Sequence, residues 1–226
     1  MNTGLGTDQS VSTIDQSIAD MREEYKSSTL QEADVERNPM KQFESWFEQA
    51  RAAKLLEANS MVLSTVSDSG QPNSRVVLLK GLANGGFTFY TNYDSAKGQQ
   101  IAANPVASLV FLWQPLERQV RVEGRIVKVS EADSDAYFNS RPIGSQLGAM
   151  ASPQSKVITR SELEARLEEV TRSHGDNPSR PAHWGGYRVI PAMVEFWQGR
   201  RSRLHDRIRY QRASDDSAWV IDRLGP

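Results

Sequence analysis

The chain has no cysteine among its 226 residues. Disulfides, thiolate metal sites and a cysteine nucleophile are therefore excluded together. Neither G-x-G-x-x-G nor G-x-x-x-x-G-K-[ST] occurs, so the dinucleotide fingerprint and the nucleotide-phosphate loop are both missing. No G-x-S-x-G elbow points to a serine hydrolase. The 3 histidines, at 174, 183 and 205, lack metal-ligand spacing, and no metal site is expected. The longest apolar run is ASLVFLW at 107–113, interrupted by Ser108, which falls far short of a membrane span. The first thirty residues contain no apolar h-region, so a soluble cytoplasmic protein is the simplest expectation. Lys and Arg number 27 against 28 Asp and Glu, and this balance lacks the basic excess of a nucleic-acid binder.

What is present reads as one domain, residues 38–226, behind a polar arm, residues 1–37, expected to be mobile or loosely docked. NPMKQFESWFEQARAAKLLEA (38–58) places Phe43, Trp46, Phe47, Ala50 and Leu55 at helical spacing, a core-facing stripe. From residue 60 the period shortens. SMVLSTV, SRVVLLK, GFTFYT, VASLVFLW and RQVRVEGRIVKV read as strands separated by SDSGQPN, ANGG and NP. Short connectors imply antiparallel pairing and a barrel or sandwich. SEADSDAYFNS (130–140) reads as a helix opened by Ser130 and ended before Pro142. TRSELEARLEEVTRS (159–173) reads as a second helix with a capping box from Ser161 to Glu164. The glycine pairs at 85–86 and 185–186 read as turns. The fold class is mostly β with peripheral helices, and no internal repeat is present.

Positive charge is concentrated near the end. GRRSRLHDRIRY (199–210) holds five arginines and a histidine. Read as a strand, 201–209 sets Arg201, Arg203, His205, Arg207 and Arg209 on one face, with Arg203 and Arg207 about 13 Å apart. Such a row suits a charged sheet edge. It equally suits a planar phosphorylated ligand, since arginine binds phosphate bidentately and stacks on flat rings. Chemistry alone leaves both standing. Two further groups favour the ligand. Arg75 and Lys80 bound an apolar strand, and Tyr90, Thr91, Ser95 and Lys97 lead into an expected helix start. Tyr137, Arg141 and Ser145 sit at a helix end and the loop beyond it.

The segments RVVLLK, FYTNYDSAKGQQI, ERQVRVEG, YFNSRPIGSQLGAMASPQS, WGGYRV and VEFWQGRRSRLHDRIRYQR, in this order, closely resemble the pyridoxine/pyridoxamine 5′-phosphate oxidases. The resemblance runs from about Arg22 to Pro226. It implies an FMN-binding split β-barrel acting as a homodimer, with both subunits contributing to each site. It implies oxidation of pyridoxamine or pyridoxine 5′-phosphate to pyridoxal 5′-phosphate, with dioxygen reduced to hydrogen peroxide, in vitamin B6 synthesis and salvage. Carried over by residue, the FMN site includes Arg75, Val76, Val77, Leu78, Leu79, Lys80, Tyr90, Thr91, Lys97, Gln119, Gln154, Ser155, Trp197 and Arg207. The substrate site includes Lys80, Tyr137, Arg141 and Ser145 around the phosphate, and Arg203 and His205 over the pyridine ring, with His205 either moving a proton or positioning the substrate. REEY resembles a segment that folds over substrate, which brings in Arg22 and Tyr25. Many members of that family have Arg directly before the lysine of the FMN turn; this chain has Ala96. A cofactor carrier on the same barrel would not need the intact substrate set, and a reductase with another flavin-type cofactor would not be expected to keep RLHDR.

Overall fold

The computed structural model describes residues 18, 21, 24, 25 and 28–226. Among the residues from 28 onward, five helices pack around eight strands that form one antiparallel sheet. Helix α1 spans Pro39–Ala52. Strands β1 (Ser60–Val66), β2 (Pro72–Leu78) and β3 (Phe87–Asn92) follow, then α2 (Ala96–Ala103), β4 (Val106–Trp113) and β5 (Arg118–Lys128). Helices α3 (Glu131–Ser140), α4 (Ile143–Ala151) and α5 (Arg160–His174) precede β6 (Trp184–Gln198), β7 (Asp206–Gln211) and β8 (Val220–Arg223). The spatial order is β2-β1-β4-β5-β6-β7-β8, with β3 pairing to β6.

β6 organises the molecule. Along one edge it pairs with β5 from Tyr187 to Gln198. Its other edge is divided: residues 184–189 pair with β3, and residues 193–198 pair with β7. The division falls at Pro191, which cannot donate to a ladder and is confined to such breaks. Opposite it, the β5 register shifts between Glu123 and Gly124. Only glycine fits at 124, because a Cβ there would lie 2.0 Å from the Ile190 carbonyl oxygen.

Alternation places the core. Leu109, Phe111 and Trp113 of β4 and Val120 and Val122 of β5 point inward. Helix α1 closes over them. Asn38 caps it by accepting from the Met40 amide at 2.8 Å, and Pro39 fills the first helical position. Phe43 then packs against Phe87 and Phe111 at centroid distances of 4.9 and 4.8 Å. The expected stripe buries Phe43, Trp46 and Ala50, with Phe47 and Leu55 half-buried at its margin. Within the expected arm, Leu30 is buried and donates its amide to Asp206 at 3.0 Å. No helix among the described residues is long and apolar enough to cross a membrane.

Four local expectations need correction. The capping box of α5 joins Thr159 and Glu162, not Ser161 and Glu164. The loop expected beyond Pro142 is helix α4. Gly185 and Gly186 lie inside β6 rather than in a turn. A Cβ on Gly186 would sit 2.8 Å from the Tyr90 ring, so glycine lets the aromatic side chain of β3 cross the strand. Finally, residues 201–209 are not one strand. Arg201–Arg203 form a 3₁₀ turn with Ser202 and Arg203 at φ of 55° and 60°, and β7 begins at Asp206. Arg203 and Arg207 therefore share no strand face. Arg207 and Arg209 do, opposite the buried Ile208 and Tyr210.

Candidate functional site

A cleft of about 960 Å³ opens between two walls. The barrel wall comes from β2, β3 and the start of α2. The helical wall comes from α3, α4 and the segment that follows. The barrel wall contributes Arg75, Val76, Val77, Leu78, Lys80, Tyr90, Thr91 and Lys97, and the helical side adds Tyr137, Arg141, Ser145, Gln154 and Ser155. Thirteen residues anticipated from three separate segments thus line one cavity.

Local chemistry fixes their positions. Ser95 caps α2 by accepting from the Gly98 amide at 3.3 Å, and its hydroxyl donates to the Asn92 carbonyl at 2.7 Å. Ser95 is held by this cap and does not itself line the cleft. The cap throws Lys97 inward, where its ammonium donates to Thr91 Oγ1 and Gln154 Oε1 at 3.2 and 3.1 Å. Burial, and then the charge of Arg75, pull the Lys97 pKa down to about 8. Arg75 donates to Thr65 Oγ1 at 2.6 Å and to Gln100 Oε1 at 3.1 Å, neutral acceptors both.

On the opposite wall, the Arg141 guanidinium lies 4.8 Å from the centre of the Trp184 ring. Its Nη1 is buried with no hydrogen-bond partner. Tyr90, Tyr137 and Trp184 form a parallel stack, with the two tyrosine rings 3.9 Å apart. Arg75, Lys80, Lys97 and Arg141 form no ion pair among the described residues. Lys80 is exposed, but Arg75, Lys97 and Arg141 are partly desolvated, and such cations facing only neutral groups are costly unless an anion joins them. The cleft could take one.

The remaining anticipated residues gather elsewhere. Strand register sets Leu112, Gln119, Trp197 and Arg207 in one row across β4, β5, β6 and β7. Trp197 lies 4.6 Å from His205 between ring centroids, and Tyr25 meets both rings edge-on at 5.6 and 5.4 Å. Gly199 admits that tyrosine, since a Cβ there would approach its ring to 2.8 Å. His205 Nδ1 accepts the Arg200 backbone N–H at 3.1 Å. Burial, followed by the nearby Arg203, holds the imidazole pKa below its usual value. Arg207 is engaged by the buried Glu195, Nε to Oε1 at 2.8 Å and Nη2 to Oε2 at 3.2 Å. Leu79 turns its side chain into the core. Arg22 lies outside the described residues. The cleft and the Trp197 cluster occupy opposite ends of β6, and none of the cluster's described residues lines the cleft.

Sequence reading missed Trp184, Asn92, the inner face of α4 with Gly148 and Ala149, and Ser152 just beyond it. An aromatic residue directly before a Gly-Gly pair was the available signal for Trp184.

Residues 47–173 match the family model described as pyridoxamine 5′-phosphate oxidase, and residues 184–226 match that of the pyridoxine 5′-phosphate oxidase C-terminal dimerisation region. Pyridoxine/pyridoxamine 5′-phosphate oxidase of Paraburkholderia phytofirmans is 56% identical over 211 residues, covering 93% of this chain and 99% of that protein. The Bordetella petrii protein of the same name is 56% identical over 210 residues, covering 93% and 100%. Among solved structures, PhzG from Burkholderia lata, crystallised with tetrahydrophenazine-1-carboxylic acid, superposes with a TM-score of 0.82 at 28% identity, covering 88% of this chain and 99% of that one. An FMN-binding protein of Nostoc punctiforme related to pyridoxamine 5′-phosphate oxidase shares the fold, with a TM-score of 0.67 at 20% identity, covering 81% and 97%. The architecture is thus an FMN-type split β-barrel. Within that class, the chain belongs to the pyridoxine/pyridoxamine 5′-phosphate oxidase family of enzymes.

Proposed function

We propose that this enzyme oxidises pyridoxamine 5′-phosphate or pyridoxine 5′-phosphate to pyridoxal 5′-phosphate with FMN as its resident cofactor. Dioxygen is the final acceptor: the alcohol and O₂ give the aldehyde and H₂O₂, while the amine consumes one water as well and releases ammonia. The observation that carries this reading is the buried, unpartnered Nη1 of Arg141 stacked on Trp184, among cations without counter-ions. A planar phosphate ester satisfies both the donor and the stack.

The residues present fit FMN. Arg75, Lys97, Thr91, Gln154 and Ser155 offer donors for its phosphate and polar groups, and Val76, Val77 and Leu78 offer an apolar edge and backbone. Bound there, FMN supplies the two-electron acceptor that dioxygen regenerates. Lys80, Tyr137, Arg141 and Ser145 would anchor the substrate phosphate.

The second cluster completes the site from another copy. Gln119, Trp197 and Arg207 of a partner would meet the cofactor, and the partner's Arg203 and His205 would cover the substrate ring, beneath its arm with Tyr25. The homodimer is supported by the dimerisation region matched at 184–226. Because Nδ1 of His205 accepts a backbone N–H, the neutral ring carries its proton on Nε2. It therefore offers the substrate a donor and holds it in place rather than taking its proton.

A second reading comes from the likeness to PhzG: a polycyclic carboxylate could also answer the cations. A turnover assay separates the two. Pyridoxamine 5′-phosphate should yield pyridoxal 5′-phosphate and peroxide in equal amounts, with unphosphorylated pyridoxamine far slower. Equal rates with and without the phosphate, or preference for tetrahydrophenazine-1-carboxylic acid, would overturn the assignment.

A further inference from the structure

Arg180 lies in the loop before β6, and its side chain is only 7% exposed. It does not line the cleft. Its guanidinium makes three attachments. Nε donates to Asp135 Oδ1 at 2.6 Å, Nη1 donates to the Trp184 carbonyl at 2.6 Å, and Nη2 donates to Glu131 Oε2. Glu131 and Asp135 stand one turn apart on α3, and Trp184 is the first residue of β6. One enclosed cation thus ties the helical wall of the cleft to the barrel.

The tied elements carry the phosphate end of the proposed site. Tyr137 follows Asp135 on α3, and Arg141 closes that helix while stacking on Trp184. Each lies within a turn or two of an Arg180 attachment. Arginine suits this position because its planar fork can hold three acceptors in fixed directions, which a lysine point charge cannot. The barrel-wall residues Arg75 and Lys97 sit on β2 and α2, and none of the three Arg180 attachments reaches either element.

We infer that Arg180 is a positioning residue, setting the spacing between the two walls and through it the affinity for the substrate phosphate. This rests on the reading of Tyr137, Arg141 and Ser145 as the phosphate anchor. Small displacements of such an anchor weaken its charge-assisted hold on the phosphate. The fold does not depend on the tie alone. Phe138 is fully buried and packs edge-on against Trp184 at 5.3 Å, and Ser134 Oγ accepts the Gly186 amide at 3.3 Å.

The test uses the full-length FMN-loaded enzyme and three measurements: KM and kcat for pyridoxamine 5′-phosphate, Kd for pyridoxal 5′-phosphate, and Kd for FMN. Arg180→Met should raise KM and the pyridoxal 5′-phosphate Kd by about 10-fold, with saturating kcat and FMN Kd within about two-fold of wild type. Arg180→Lys should recover part of the loss. The double variant Glu131→Gln with Asp135→Asn changes only exposed carboxylates, so it decides the matter if Arg180→Met fails to fold; the same direction of change is expected. Unchanged KM, or FMN affinity falling in step with substrate affinity, would overturn the inference. A wild-type enzyme that does not oxidise pyridoxamine 5′-phosphate would instead overturn the substrate reading beneath it.

Discussion

Trp184 and Trp197 stand thirteen residues apart on one strand, β6, the first facing the cleft and the second packed on His205. At ~3.3 Å per residue that is roughly 40 Å of strand. If the proposed site needs both ends, it must take them from different copies. Two inactive variants then complement each other. Arg141→Ala disables the cleft and Arg203→Ala disables the distant cluster. Mixed and re-equilibrated at equal amounts, they should regain about a quarter of wild-type activity, because half the dimers are mixed and each holds one intact site. Activity that stays at the level of the separate variants would show that each chain builds its site alone.

Arg203 and Arg207 should separate by phenotype. Arg207 lies in the row with Gln119 and Trp197 and is held by Glu195, whereas Arg203 projects from a turn at positive φ. Arg203→Ala should keep FMN bound while kcat/KM falls roughly 10²-fold, about 3 kcal/mol of charged contact. Arg207→Ala should weaken FMN, with excess FMN restoring part of the activity. The reverse pattern, read by FMN titration and steady-state kinetics, would contradict both roles.

Lys97 predicts a pH dependence with a definite sign. Its pKa of about 8 in the protein alone means that the ammonium is lost as pH rises through that value. A phosphate dianion favours the charged form, so binding above pH 8 must take up a proton. FMN affinity should hold steady from pH 6.5 to about 7.5 and then weaken, approaching ten-fold per pH unit well above 8. Lys97→Met should bind more weakly and flatten that slope. A wild-type Kd constant to pH 9.5 would remove Lys97 from the phosphate site.

Much of this was legible in the sequence for identifiable reasons. Alternating β-branched residues placed β1, β4 and β5 well because each buries one face. Ser130 and Pro142 bounded α3 because caps and pre-proline sterics are local. The 201–209 stretch misled because alternating Arg and apolar residues mimic a strand, while two successive positive-φ residues break it at Ser202 and Arg203. Helix α4 was hidden because it opens at Ile143 without a side-chain cap. The segregation of site residues into two clusters was not readable from any one segment. It follows from β6 pairing with β3 at one end and β7 at the other.

The most direct test is an anaerobic titration of the purified protein, reconstituted with FMN, by pyridoxamine 5′-phosphate. Substrate should bleach the oxidised flavin band, with one pyridoxal 5′-phosphate formed per flavin, and readmitted air should restore the colour with release of peroxide. An FMN-loaded protein that stays yellow through the titration would contradict the proposed oxidation.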